Sequence, residues 1–199
     1  MKAVMISIQP KWCELIASGK KTVEVRKTKP KIETPFKVYI YCTKGRGETL
    51  WRWDGQYWYD TQFPKERPNR ADGKVIGEFV CDRINYVRNY GDCVDMYDCY
   101  ASCLTASEII EYAKDKNGNF VYTYGWHISD LVIYDKPKEL SEFAAFCEGL
   151  KPYQCDKCEY SYTESNESIG TYHGCGCDNL KPLKRPPQSW WYVKERNEK

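Results

Sequence analysis

Apolar and polar positions along this chain fall into short runs whose period switches between about two and about 3.6 residues, the mark of alternating strands and helices. Residues 3–8 are almost wholly apolar and predict a first strand. Residues 10–18 follow as a short helix, with Pro10 suited to its first turn and Gly19 to the position just past its end. Residues 22–26 alternate, so Val23 and Val25 face one way while Thr22, Glu24 and Arg26 face the other. A basic, proline-bounded loop over 27–35 leads to a second alternating strand over 36–42. Periodicity is then lost over 45–72. Asp54-Gly55 between aromatic runs predicts a two-stranded arm over 50–59, placed to cover a cleft or to meet a protein partner.

The pattern resumes as a strand over 73–87, where Gly77 marks a bulge or a close backbone approach. No element is assigned to 88–104. Thr105 with Glu108 three positions later forms a capping box that opens a helix running to about residue 114. Asn117-Gly118-Asn119 breaks it, and a long strand over 122–134, bent at Gly125, follows. Residues 141–146 predict a short capped helix. The proline-rich stretch 182–187 cannot be helical, and 188–193 form a final strand.

The strand over 22–26 carries the most chemistry. Glu24 and Arg26 lie about 7 Å apart along one strand face, and Lys21 stands at its mouth. Two readings fit this spacing: a grip for a polar, partly anionic ligand, or a solvated ion pair. Glu78 is a second carboxylate on another strand, either solvated or aimed at the same cleft. His127, one of two histidines, is either structural or the better acid–base candidate.

Cys155 and Cys158 form a Cys-x-x-Cys knuckle, and Cys175 and Cys177 follow, bounded by glycines. Four thiolates at this spacing predict a closed, structural zinc site, with His173 able to replace one cysteine. The segment between the pairs is polar, and a metal would supply ordering energy that apolar burial cannot. Free thiols and disulfides are the alternatives. Cys93, Cys99 and Cys103 match no ligand spacing; they are read as buried small residues, with metal binding the alternative.

Composition narrows the picture modestly. The net charge is +2, which selects no partner, but residues 1–53 hold twelve Lys or Arg against four Asp or Glu. A basic N-terminal third carrying the polar strand fits a phosphate-bearing ligand, or else a solvated basic face. Seven Trp and seventeen Tyr exceed what one core of this size needs, so some are expected to line a groove or to stack on bases. No apolar run is long enough for a membrane span or a signal peptide. Eleven Cys without such a signal are expected in a reducing, cytoplasmic setting.

Gly19, Lys21, Glu24 and Arg26 together resemble the Gly-x-Lys-x-x-Glu-x-Arg signature of the ASCH family, within the PUA-like superfamily. The lead-in over residues 6–12 is similar to that family's first strand and helix, and residues 185–190 resemble the ending of phage and prophage members. The resemblance covers 1–44, 73–87, 120–146 and 184–195. It implies an α+β fold, a small bent β-barrel with flanking helices. The expected organisation is a barrel over 1–149 with insertions at about 45–72 and 88–119, a cysteine-rich insertion over 150–180, and a closing strand over 181–199. The resemblance also implies a cleft beside the signature strand that holds RNA or a nucleotide. Lys11, Trp12, Gly19, Lys20, Lys21, Arg26, Trp126 and Trp190 are the expected nucleic-acid contacts. The alternative is a hydrolase acting on RNA or on a modified nucleoside, with Lys21, Glu24 and Arg26 catalytic. Small bacterial relatives that deacylate acetylcytidine place a threonine where this chain has Glu24. Thr22, one strand repeat away, is the nearest hydroxyl.

Overall fold

The computed structural model describes residues 3–45, 47–61, 69–87, 89–90, 93–145, 161–166, 170–175 and 182–196, the last hairpin (161–175) through its backbone alone. The first apolar run becomes β1 (Ala3–Ile8), buried at every position because it has a strand on each edge and side chains packed on both faces. Helix α1 (Pro10–Ala17) starts on its proline, and Gly19, at φ +74°, turns the chain back. Strands β2 (Val23–Arg26) and β3 (Phe36–Cys42) follow where the alternation places them.

β4 (Thr49–Trp53) and β5 (Gln56–Asp60) form the expected hairpin, with Asp54 and Gly55 both left-handed, at φ 49° and 75°. It is no free arm. Leu50 and Tyr57 are buried in the main core against α1, while Trp53 and Trp58 remain exposed on the outer face.

Several elements differ from expectation. The single strand over 73–87 is two, β6 (Val75–Cys81) and β7 (Ile84–Val87), because the chain turns a corner at Asp82-Arg83 and changes sheet. A short pair, β8 (Asn89–Tyr90) and β9 (Cys93–Val94), precedes an unforeseen helix α2 (Met96–Ser102), whose cap Asp95 accepts a hydrogen bond from Tyr97 N. Helix α3 (Ala106–Tyr112) has the full Thr105–Glu108 capping box and stops two residues short of the expected end. The long strand over 122–134 likewise splits, at Ile128 rather than Gly125, into β10 (Thr123–His127) and β11 (Ser129–Lys138). In place of a helix over 141–146 lie a 3-10 turn (Leu140–Glu142) and β12 (Phe143–Ala145), which buries Phe143 completely beside the last strand. β13 (Ser161–Asn166) and β14 (Gly170–Cys175) pair as a hairpin, and β15 (Trp190–Glu195) ends the ordered sequence of elements.

The fold is mixed α+β. Six strands order as β11-β6-β3-β1-β15-β12, and three as β2-β10-β7. Within these two sheets β1 and β3 run parallel, and the other ladders are antiparallel. The expected barrel does not close: among the described residues no ladder joins the edges of the small sheet to the large one. The sheets are linked instead through the β6–β7 and β10–β11 corners. Between them lies the main core, where Val4, Ile6, Ile8, Val38, Ile40 and Phe79 meet Trp126. Val23, Val25 and Val87 back the small sheet against Ala101 of α2 and Ile109 of α3. Gly77 shows both features foreseen for it. The β3–β6 register slips there, and an added Cβ would lie 2.4 Å from Val132 O. Among the described residues no helix is long and apolar enough to cross a membrane.

Candidate functional site

The α1–β2 junction is fixed before any side chain acts. Lys21 N donates to Leu15 O, Thr22 N to Ala101 O, and Ile128 N to Thr22 O, each at 2.9 Å. Lys21 is thereby aimed inward and is only 2% exposed. Its ammonium donates to Ser102 O at 2.7 Å and meets Glu24 Oε2 at 3.3 Å. The first contact uses an orphan carbonyl at the C-terminus of α2, the negative end of that helix. Lys21 Nζ also lies 5.2 Å from the centroid of the half-buried Trp12 ring.

Glu24 sits between two cations, because Arg26 Nη2 is 3.0 Å from its Oε1. The same guanidinium donates to Ser7 O at 2.6 Å and reaches Ser189 Oγ at 3.4 Å. Ser7 in turn donates its hydroxyl to Pro187 O at 2.6 Å, so the end of β1 and the segment before β15 brace the arginine together. One polar atom is left over: Arg26 Nε is buried without a hydrogen-bond partner. The cluster therefore holds two positive groups, one negative group and an unused donor, all nearly out of water. A buried charge without compensation is costly, and such a cluster favours an added anion.

The surroundings extend this field. Burial first, then the Cys42 thiol and the Glu24 charge, push the Cys13 thiol well above its usual range, with Arg26 opposing. Cys13 is thus an inert wall. At the β6–β7 corner, His127 Nδ1 and Asp82 Oδ1 are 2.6 Å apart. Burial raises the Asp82 carboxyl, but the hydrogen bond and charge of His127, with Arg83, outweigh it and hold the group below the ordinary carboxylate value. His127 lies on the opposite strand face from Glu24 and serves this corner.

Lys21, Glu24 and Arg26 are brought together, but as a buried cluster rather than as the lining of an open cleft. Trp126, expected to stack on a base, is instead fully buried, edge-on to Phe36 at 5.9 Å. Its size and its place between the two sheets make it core. Trp190 is half-buried and donates from Nε1 to Thr28 Oγ1 at 2.9 Å. Lys11 and Lys20 are exposed, Lys11 lying 4.5 Å from the Trp12 ring centroid. Glu78 is half-buried and its partners lie outside the cluster: it accepts from Tyr134 at 2.5 Å and pairs with Lys37 at 3.2 Å in the large sheet. Thr22 is exposed.

Ser7, Ser102 and Ser189 hold the cluster and carried no sequence signal as partners. Asp95 preceding a short run could have announced α2, and with it Ser102. Cys155, Cys158 and Cys177 lie outside the described residues, and Cys175 ends β14, known through its backbone. Among the described residues no group of three or more His, Cys, Asp or Glu is placed to hold a metal, and Cys99 and Cys103 are half-buried thiols.

A separate groove of about 1430 Å³ lies between the β4–β5 hairpin, residues 69–74 and residues 135–142. Its charges largely satisfy one another, as Arg70–Asp72 at 2.5 Å, Arg52–Asp135 at 2.8 Å and Lys74–Glu139 at 2.8 Å. None of Lys21, Glu24 and Arg26 lines it.

No curated protein matches the chain. Among solved structures, an ASCH protein from Zymomonas mobilis is 19% identical, with a TM-score of 0.44 over 69% of this chain and 73% of that one. Two single-substitution variants of that protein give 21% and 20% identity and TM-scores of 0.45 and 0.44. They cover 70% and 69% of this chain and 77% and 74% of their own. The family model described as the ASCH domain matches residues 6–154, well over half the sequence, and the chain belongs to the ASCH domain family.

Proposed function

We propose that this protein binds RNA or a nucleotide through the Lys21–Glu24–Arg26 cluster. The observation that carries this is the buried excess of positive charge together with the unpartnered Arg26 Nε. A phosphate supplies the missing anion and an acceptor for that donor. Glu24 orients both cations and offers an acceptor to a ribose or base. The ligand approaches where Trp12, Ser189 and Trp190 are half-buried, with exposed Lys11 and Lys20 beside the α1 turn. ASCH domains, within the PUA-like superfamily, are generally regarded as RNA-binding, which agrees with this reading.

Equilibrium binding of a labelled RNA across a salt series tests it. Arg26→Ala should weaken binding and lower the slope of log affinity against log salt by about one. Arg26→Lys, which keeps the charge, should recover most of the slope if the variant melts like the wild type. Unchanged affinity and slope in Arg26→Ala would refute the proposal.

Hydrolysis of a modified nucleoside, with Lys21 as base and Glu24 as its partner, has less support. Lys21 is engaged as a donor to Ser102 O, and Thr22, one strand repeat from Glu24, is exposed.

The zinc assignment on Cys155, Cys158, Cys175 and Cys177 is proposed alongside. Its support is the β13–β14 hairpin, whose open end pairs Ser161 with Cys175. One cysteine pair precedes that end in sequence and the other spans it, so a four-thiolate site would clamp the hairpin base. The insertion over 150–180 would then be a small metal-stabilised module on the ASCH domain.

A further inference from the structure

Arg26 is the inner end of a row that crosses the small sheet. Its register partner on β10 is Tyr124, and the partner of Tyr124 on β7 is Tyr86. Directly opposed residues share a face. Arg26, Tyr124 and Tyr86 therefore project from the one face that carries Glu24. Burial falls along the row, from 9% exposure at Arg26 to 58% at Tyr86. Tyr122, two residues before Tyr124, is 79% exposed and extends the cluster outward. The Tyr86 centroid is 5.2 Å from that of Tyr124 and 5.8 Å from that of Tyr122.

A cation stands over these rings. Lys29 Nζ is 5.5 Å from the Tyr124 centroid and 6.0 Å from that of Tyr86. Lys27, Lys29 and Lys31 are all exposed on the loop between β2 and β3, with Glu33 as the one acid there. Of the three rings only Tyr124 packs against the main core, so folding does not account for the other two. Flat aromatic faces with ammonium groups beside them match the two halves of a nucleotide, base and phosphate. Their continuity with the buried positive cluster selects a polyanion that carries bases over an acidic peptide, which has no planar group to stack.

We infer that Tyr86, Tyr122 and Tyr124, beneath Lys29, form a stacking subsite for unpaired bases, so that the ligand is a single-stranded RNA segment rather than a free nucleotide. This rests on the reading of the Arg26 cluster as a phosphate site. A strand whose phosphate meets Arg26 continues outward along the row, its next bases lying on the tyrosines and its backbone passing the lysine loop.

The test compares a fluorescein-labelled, non-self-complementary RNA octamer, followed by anisotropy, with the four nucleoside 5′-monophosphates, followed by titration calorimetry. The wild type should bind the octamer more tightly than any monophosphate. Tyr86→Ala and Tyr122→Ala, both at exposed positions, should each weaken octamer binding about 5- to 150-fold, the range for one lost base–aromatic stack. The ratio of octamer to monophosphate affinity should fall with it. Tyr86→Phe and Tyr122→Phe should keep the affinity, because the ring face and not the hydroxyl is used. Octamer affinity within twofold of wild type in the double alanine variant would overturn the subsite while leaving the cluster reading to stand on its Arg26 test. Equal losses in the alanine and phenylalanine variants would also overturn it. A wild type that binds neither octamer nor monophosphate would overturn both readings.

Discussion

Replacing Glu24 by Gln keeps the shape of the side chain and one acceptor but removes the only negative charge between Lys21 and Arg26. The two contacts are 3.3 and 3.0 Å long, and all three groups are nearly buried. At an effective dielectric constant of about 20, each pair attracts by about 5 kcal/mol before desolvation is counted. Desolvation offsets much of that in the intact cluster, but it does not disappear when the carboxylate does. Two cations then share the pocket, held by Ser102 O, Ser7 O and Ser189 Oγ alone. Losing one member of a buried pair costs about 3–5 kcal/mol. For a chain of this size that lowers the melting temperature by about 6–20 °C. Urea and thermal unfolding followed by circular dichroism measure it. A second sign distinguishes charge from packing. Millimolar phosphate should raise the melting temperature of Glu24→Gln more than that of the wild type, since the variant offers an anion two uncompensated cations. The double variant Lys21→Met with Glu24→Gln should be less destabilised than the sum of the two singles. A Glu24→Gln protein that melts within a degree of wild type, with no added response to phosphate, would refute the electrostatic account of the cluster.

Three further outcomes are expected. Gly77→Ala should destabilise by about 1–3 kcal/mol in urea unfolding, because its Cβ meets the Val132 carbonyl, a backbone atom that cannot rotate away. The Asp82 carboxyl has a folded-state pKa below its unfolded value, so its contribution is complete above that unfolded value and is lost as pH falls through the folded one. An acid titration of stability should therefore drop less steeply below about pH 4 in Asp82→Asn than in wild type. Protein purified without chelator should carry one zinc per chain by elemental analysis, and Cys155→Ser with Cys158→Ser should lose it; a metal-free wild type from zinc-supplemented growth would count against the site.

Local signals made much of the fold readable. Pro10 and Gly19 bracket α1, Asp54-Gly55 turns the hairpin, and Thr105 with Glu108 starts α3, since each depends on a neighbour a few residues away. The same locality explains the failures. Residues 73–87 and 122–134 look like continuous strands because both halves of each are apolar enough. What splits them is the transfer from one sheet to the other, made at Asp82-Arg83 and at Ile128. Trp126 shows the parallel limit for the site. Alternation placed it opposite His127 correctly, but whether that face meets a ligand or the large sheet depends on Phe36, ninety residues earlier in the chain. Likewise the strand period put Glu24 and Arg26 on one side, yet their burial comes from Ser7, Ser102 and Ser189, supplied by three separate segments.

The bond from Ser7 to Pro187 spans 180 positions, and β1 shares the large sheet with β15 across a similar span. At about 5–20 residues per second, a ribosome takes roughly 10–40 s to cover that distance. Through that interval the nascent polypeptide can pair β1 with β3 but has an open edge on the other side, where β15 will dock. Arg26 meanwhile lacks Ser189 and the bracing of Ser7. Vectorial synthesis thus leaves the Lys21–Glu24–Arg26 cluster without part of its bracing until β15 and the segment before it emerge.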